Sequence, residues 1–165
     1  EDAAAAIQAT ALGLCICQAR PLAHGVHVGH GSQVLVCKET TPVVFINRAF
    51  EKITGFSAKS IIGKELSVLN GAQTEKQQID RLNQALKERS DVKVVLTQYK
   101  RNGSKFVAAV ALKPSYDNMG VLVFWIAVIY DLSHKNASLT ELKRVHDLLA
   151  LVPNLLNYPP GDTDS

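Results

Sequence analysis

The dipeptide Asn102-Gly103 lies between two strand-like runs, Val92 to Lys100 and Ser104 to Lys113, and constrains the chain more than any other local feature. Asn-Gly supplies the positive φ angles of a tight antiparallel hairpin, and the flanking β-branched residues suit a pleated, half-buried surface. A turn around Tyr116 to Gly120 leads into Val121 to Tyr130, a nearly all-apolar run. That run reads as a third long strand, central in the sheet and covered on one face.

Upstream, Leu12 to Gln18 reads as a first strand and Pro42 to Asn47 as a second, continuously apolar through Val43, Val44, Phe45 and Ile46. A Gly- and His-rich insertion loop separates them over 20–41, with Gln33 to Cys37 as a further short strand inside it. From Arg48 the pattern turns helical, with Phe50 and Ile53 on one side and Gly55 where a helix ends in the left-handed conformation. Ser57 is the expected N-cap of a second short helix ending near Gly63, with Ile61 stapled onto Phe56. Thr74 and Gln77 form a capping-box pattern for a helix to about Arg89, which places Ile79, Leu82 and Leu86 on one face.

The ends read as helical. Asp2 to Ala11 is Ala-rich, and Ser138 with Glu141 opens a helix in which Leu142, Val145, Leu149 and Val152 recur at three-four spacing until Pro153. The organisation expected is a helical extension over 1–11, a domain over 12–133, a helix and tail over 134–158, and a disordered end over 159–165. The fold class is α+β, a five-stranded antiparallel sheet with short helices over one face.

With 165 residues, of which 47% are hydrophobic and 20% charged, one core is affordable and two are not. The net charge of +3 is spread along the chain, so no nucleic-acid partner is expected. No apolar run approaches the roughly 20 residues of a membrane helix, so no membrane partner is expected either. Three cysteines, Cys15, Cys17 and Cys37, are an odd and sparse set that suits a cytoplasmic or other reducing compartment. The chain opens on Glu1 rather than Met, which reads as a piece of a longer protein.

The segment Asn47-Arg48-Ala49-Phe50-Glu51-Lys52-Ile53-Thr54-Gly55-Phe56-Ser57, closed by Ile61-Ile62-Gly63-Lys64, resembles the sequence pattern of PAS domains. From Gly63 to Leu112 the chain is similar to the flavin-binding LOV branch, through Leu69, Gly71, Thr74, Lys87-Glu88, Asp91-Val92, Tyr99, Gly103 and Phe106. The resemblance implies a sensor or interaction domain that regulates an effector domain of the same or another chain.

The departures from the LOV pattern matter as much. Where that branch has Gly, any residue, Asn, Cys, Arg, Phe, Leu, Gln, this chain reads Gly63-Lys64-Glu65-Leu66-Ser67-Val68-Leu69-Asn70. Leu66 replaces the cysteine that bonds to the flavin ring, so the resemblance implies no adduct photochemistry. Ser67 and Asn83 stand where the branch carries arginines for the flavin phosphate, and Gln98, Ala108 and Ile129 stand where it carries Asn, Asn and Gln. Only Gln98 and Asn70 retain hydrogen-bonding side chains there. Each buried flavin amide left unpaired costs about 1–3 kcal/mol, so no cofactor is expected and FMN least of all.

The residues that would line a cavity are Leu66, Asn70, Gln98, Ala108, Val110 and Ile129, holding either a small apolar ligand or atypical flavin, or simply one another. The resemblance also implies no haem, because haem-binding PAS domains use a histidine on the helix that here spans Thr74 to Arg89, and that helix has none. His24, His27 and His30, with Cys37, are weak metal candidates whose spacing matches no ordinary zinc framework. Cys15 and Cys17 point to one face of their strand, which suits inert buried thiols better than a disulfide. His134 and His146 read as exposed imidazoles. No nucleophile with its base, phosphate-cradling loop or paired carboxylate is evident, so no enzymatic activity is expected. The stripe Leu142, Val145, Leu149 and Val152 is the expected interaction helix, and a homodimer through the sheet face and terminal helices is a further expectation.

Overall fold

The Asn-Gly turn forms the hairpin but not with two positive φ angles. Gly103 alone takes one, at 85°, while Asn102 contributes its side chain, accepting from Ser104 N at 2.9 Å and Ser104 Oγ at 2.6 Å. The computed structural model describes residues 13–19 and 41–133, with Lys143 and Asp147 in helical backbone. Five strands, β1 (Gly13–Gln18), β2 (Val43–Ile46), β3 (Val92–Tyr99), β4 (Lys105–Tyr116) and β5 (Leu122–Asp131), make one sheet in the order β2-β1-β5-β4-β3. All neighbours are antiparallel.

Strand β5 is central, as its apolar run implies, but it is covered on both faces rather than one. Trp125, Ala127 and Ile129 face the main core, while Ile126 and Val128 on the opposite face are also buried. The continuously apolar run of β2 is buried only in part: Val43 and Ile46 are buried, whereas Val44 and Phe45 are exposed. It is an edge strand, and the register shift opposite Ile16 and Cys17 leaves Val44 as its extra residue.

Between β2 and β3 the chain crosses the core face through α1 (Arg48–Thr54), α2 (Ala58–Ile61), a 3₁₀ helix η1 (Leu66–Leu69) and α3 (Lys76–Glu88). Asn47 caps α1 through Oδ1, which accepts from Phe50 N at 2.8 Å. Gly55 ends it in the left-handed region, at φ 74°. Phe50 is fully buried against β1, where Gly13 permits the approach: a Cβ there would stand 3.0 Å from the Phe50 Cα.

Two expected caps differ in detail. Ser57 occupies the N-cap position of α2 but makes no side-chain cap bond; its Oγ donates to Ser60 Oγ at 3.2 Å, and Glu51 Oε1 accepts from Ala58 N at 2.8 Å. The Thr74-Gln77 capping box does not form either. Helix α3 starts one residue later, at N-cap Glu75, and Thr74 Oγ1 instead donates to Thr97 O on β3 at 2.7 Å.

Candidate functional site

The crossover lays η1 over the core face of β3, β4 and β5. Leu66 is half-buried and packs on the same core cluster that contains Ala108, Val110 and Ile129, all at 5% exposure or less. The register explains the convergence. Val110 pairs with Ile129 across β4 and β5, and Ala108 sits one alternation along, opposite Leu96 on β3. Asn70 follows η1, half-buried, its backbone N donating to Ser67 O at 3.0 Å.

Gln98 is the polar member of this wall. It sits on the core face of β3 opposite Phe106, at 4% exposure, and its Oε1 has no hydrogen-bond partner. An orphaned carbonyl in apolar surroundings costs about 1–3 kcal/mol. Ser115 Oγ, on β4, is the other buried side-chain oxygen among the described residues without a partner.

The residues flanking Gln98 are tied to a strap between η1 and α3. Glu75 accepts from Thr97 N at 2.6 Å and from Thr97 Oγ1 at 2.9 Å, and Gln73 N donates to Tyr99 OH at 3.0 Å. Gly71 is required there, since a Cβ would meet the Tyr99 ring at 2.4 Å. The hydrogen bond from Thr97 N, chiefly, holds the Glu75 carboxyl below its ordinary value of 4.5. The strap also satisfies the outward N–H and C=O of Thr97 on β3, an edge strand otherwise open to pairing there.

This arrangement of sheet, crossover and apolar wall is matched by a family model. A PAS-domain model matches residues 32–134. The chain belongs to the PAS family. Its relatives are LOV-like: it is 29% identical over 107 residues to a blue-light photoreceptor of Listeria innocua, covering 65% of this chain and 42% of that protein. It is 33% identical over 124 residues to a bacterioopsin transcriptional activator of Halobacterium salinarum, covering 75% of this chain and 18% of that one. Among solved structures, a blue-light activated histidine kinase of Erythrobacter litoralis superposes with a TM-score of 0.66 at 20% identity, over 84% of this chain and 39% of that one. This PAS domain thus spans less than half the length of these relatives.

Of the site residues expected from sequence, Leu66, Ala108, Val110 and Ile129 share one apolar cluster, Gln98 lies on the same face of the sheet, and Asn70 is half-buried after η1. Ser67 and Asn83 are exposed and carry no charge for a phosphate. Ala108 and Ile129 offer no side-chain hydrogen bond to a ligand here, and Gln98 Oε1 is an available acceptor. Leu142, Val145, Leu149 and Val152, the weak metal candidates His24, His27, His30 and Cys37, and His134 and His146 lie outside the described residues, as do the expected N-terminal extension and, apart from the helical backbone at Lys143 and Asp147, the C-terminal one. Among the described residues no group of three or more His, Cys, Asp or Glu side chains could hold a metal ion, and no helix is long and apolar enough to cross a membrane. The strap and the partnerless Ser115 were missed from sequence. Gly71 and Thr74, three apart, were the strap's only local signal.

Proposed function

We propose that this PAS domain is a non-catalytic regulatory module that relays a signal to a neighbouring effector domain or partner by protein contacts, without light-driven flavin chemistry. The observation that carries the reading is Leu66, which the LOV resemblance sets at the position of the reactive cysteine and which packs, half-buried, against the core cluster. A hydrocarbon side chain has no nucleophile to form an adduct. The relatives' printed names, a kinase and a transcriptional activator among them, support an effector elsewhere in the full protein. The outer sheet face offers a surface for the relay: Val95 and Val107 are exposed beside the buried Ala111 and Val128. Docking of a second copy on that face is part of the same reading.

Blue illumination of the purified protein mixed with FMN tests the photochemical part. The expected result is an unchanged flavin absorption band, and reversible bleaching of it overturns the reading. Val95→Asp with Val107→Asp in the full-length protein tests the relay. Reduced effector output with an unchanged unfolding midpoint is expected, and unchanged output counts against it.

A second reading is favoured by Gln98. A small apolar ligand carrying one N–H or O–H donor would satisfy Oε1 and make the module a ligand sensor. Native mass spectrometry separates the two readings by the presence or absence of a co-purified small molecule.

A further inference from the structure

Cys15 and Cys17 both face the core from β1, at 0% and 2% exposure, with their sulfurs 3.7 Å apart. That is hydrogen-bonding contact, far outside the ~2.05 Å of an S–S bond. The backbone prevents closure. Residues i and i+2 of a strand stand about 6.6–6.8 Å apart on one face, and their Cβ atoms keep nearly that separation. A disulfide needs Cβ atoms within about 3.5–4.5 Å. Strand β1 has no slack to supply the difference, because its ladder with β5 runs without a break from Gly13, opposite Ile129, to Gln18, opposite Phe124. The irregularity beside Cys17 belongs to the pairing with β2, where the extra residue is Val44.

The thiols are also chemically quiet in place. The hydrogen bond to Cys17 first, and burial second, push the Cys15 thiol far above the ordinary thiol range. The thiolate is the reactive form, so Cys15 resists oxidants in the folded sheet, and Cys17 is sheltered by its burial.

Both restraints vanish together when β1 leaves β5. The thiols meet water, and the strand loses the extended geometry that kept them apart. We propose that Cys15 and Cys17 are a redox lock on the opened domain: sheltered while β1 is in the sheet, and bridged by peroxide once it separates, so that the bridged strand cannot re-enter. One thiolate attacks a peroxide oxygen, the O–O bond breaks, and hydroxide leaves as water to give a sulfenic acid. The second thiolate attacks that sulfur, the S–O bond breaks, and a second water leaves as the disulfide forms. Two thiols are oxidised and one hydrogen peroxide is reduced. A dithiol reductant reverses the lock.

The test uses the full chain carrying Cys37→Ser, treated with hydrogen peroxide in buffer and in urea across the unfolding transition, then read by intact mass and Trp125 fluorescence. Trp125 is the chain's single tryptophan and is buried at 1% exposure. Loss of two hydrogens is expected only where urea opens the domain. The bridged chain should fail to regain native fluorescence on dilution until dithiothreitol is added. The added Cys17→Ala variant should gain oxygen instead of losing two hydrogens. Bridging at the same rate in native buffer overturns the proposal, as does a bridged chain that regains native fluorescence unaided.

Discussion

Two amide side chains on the sheet's inner side are used in opposite ways. Asn47, at the junction of β2 and α1, accepts through Oδ1 from both Phe50 N at 2.8 Å and Leu14 N at 2.9 Å, while its own backbone N donates to Leu14 O at 3.0 Å. It fastens the crossover to β1. Gln98, more deeply buried on β3, has a carbonyl with no partner at all. The same chemical group is committed to architecture in one place and left available in the other. A polar residue carried over from a family pattern therefore says little until its partners are counted.

The largest effect should come from the committed amide. Asn47→Ala removes the α1 cap and strands the Leu14 N–H, at a cost of about 2–4 kcal/mol in urea unfolding. Asn47→Asp keeps the acceptor and should recover most of it. A loss below about 1 kcal/mol for the alanine variant would erase the contrast between the two amides.

Gln98→Leu should act in the other direction. Deleting a buried acceptor without a partner, with little change in volume, is expected to raise the stability of the ligand-free protein by about 1–3 kcal/mol. A destabilised variant means that the carbonyl is partnered after all. If native mass spectrometry finds a co-purified ligand, the same substitution should reduce its occupancy, which ties the cost of the orphan to a role.

Sequence patterns reached most of the fold because its main signals are local. The Asn102-Gly103 turn, Gly55 at the end of α1 and the apolar run of β5 each act within a few residues, and alternation along β4 and β5 is enough to put Ala108, Val110 and Ile129 on one face. What escaped depends on partners far along the chain. Glu51 caps α2 from seven residues away, and Thr74 turns from its expected helix to Thr97, 23 residues on. The orphan state of Gln98 was illegible for the same reason, since a missing partner belongs to three dimensions. That Cys15 and Cys17 share a face follows from strand alternation, whereas their contact distance does not.

The smallest effect concerns the strap beside Gln98. Glu75 has a lowered folded pKa, caused first by the hydrogen bond from Thr97 N, so its contribution is present above its ordinary value of 4.5 and is lost as pH falls through the lowered value. The carboxylate is exposed and solvent-screened, so Glu75→Gln should cost under about 1 kcal/mol. Its signature is local. Hydrogen exchange of the Thr97 amide should quicken in the variant at neutral pH, and in the wild type only in acid, while the Val94 amide, farther along β3, keeps its rate. A Thr97 amide equally protected in both proteins would mean that the Glu75 bond is not what shields this edge of β3, and that the strap gives the wall around Gln98 no separate way to open.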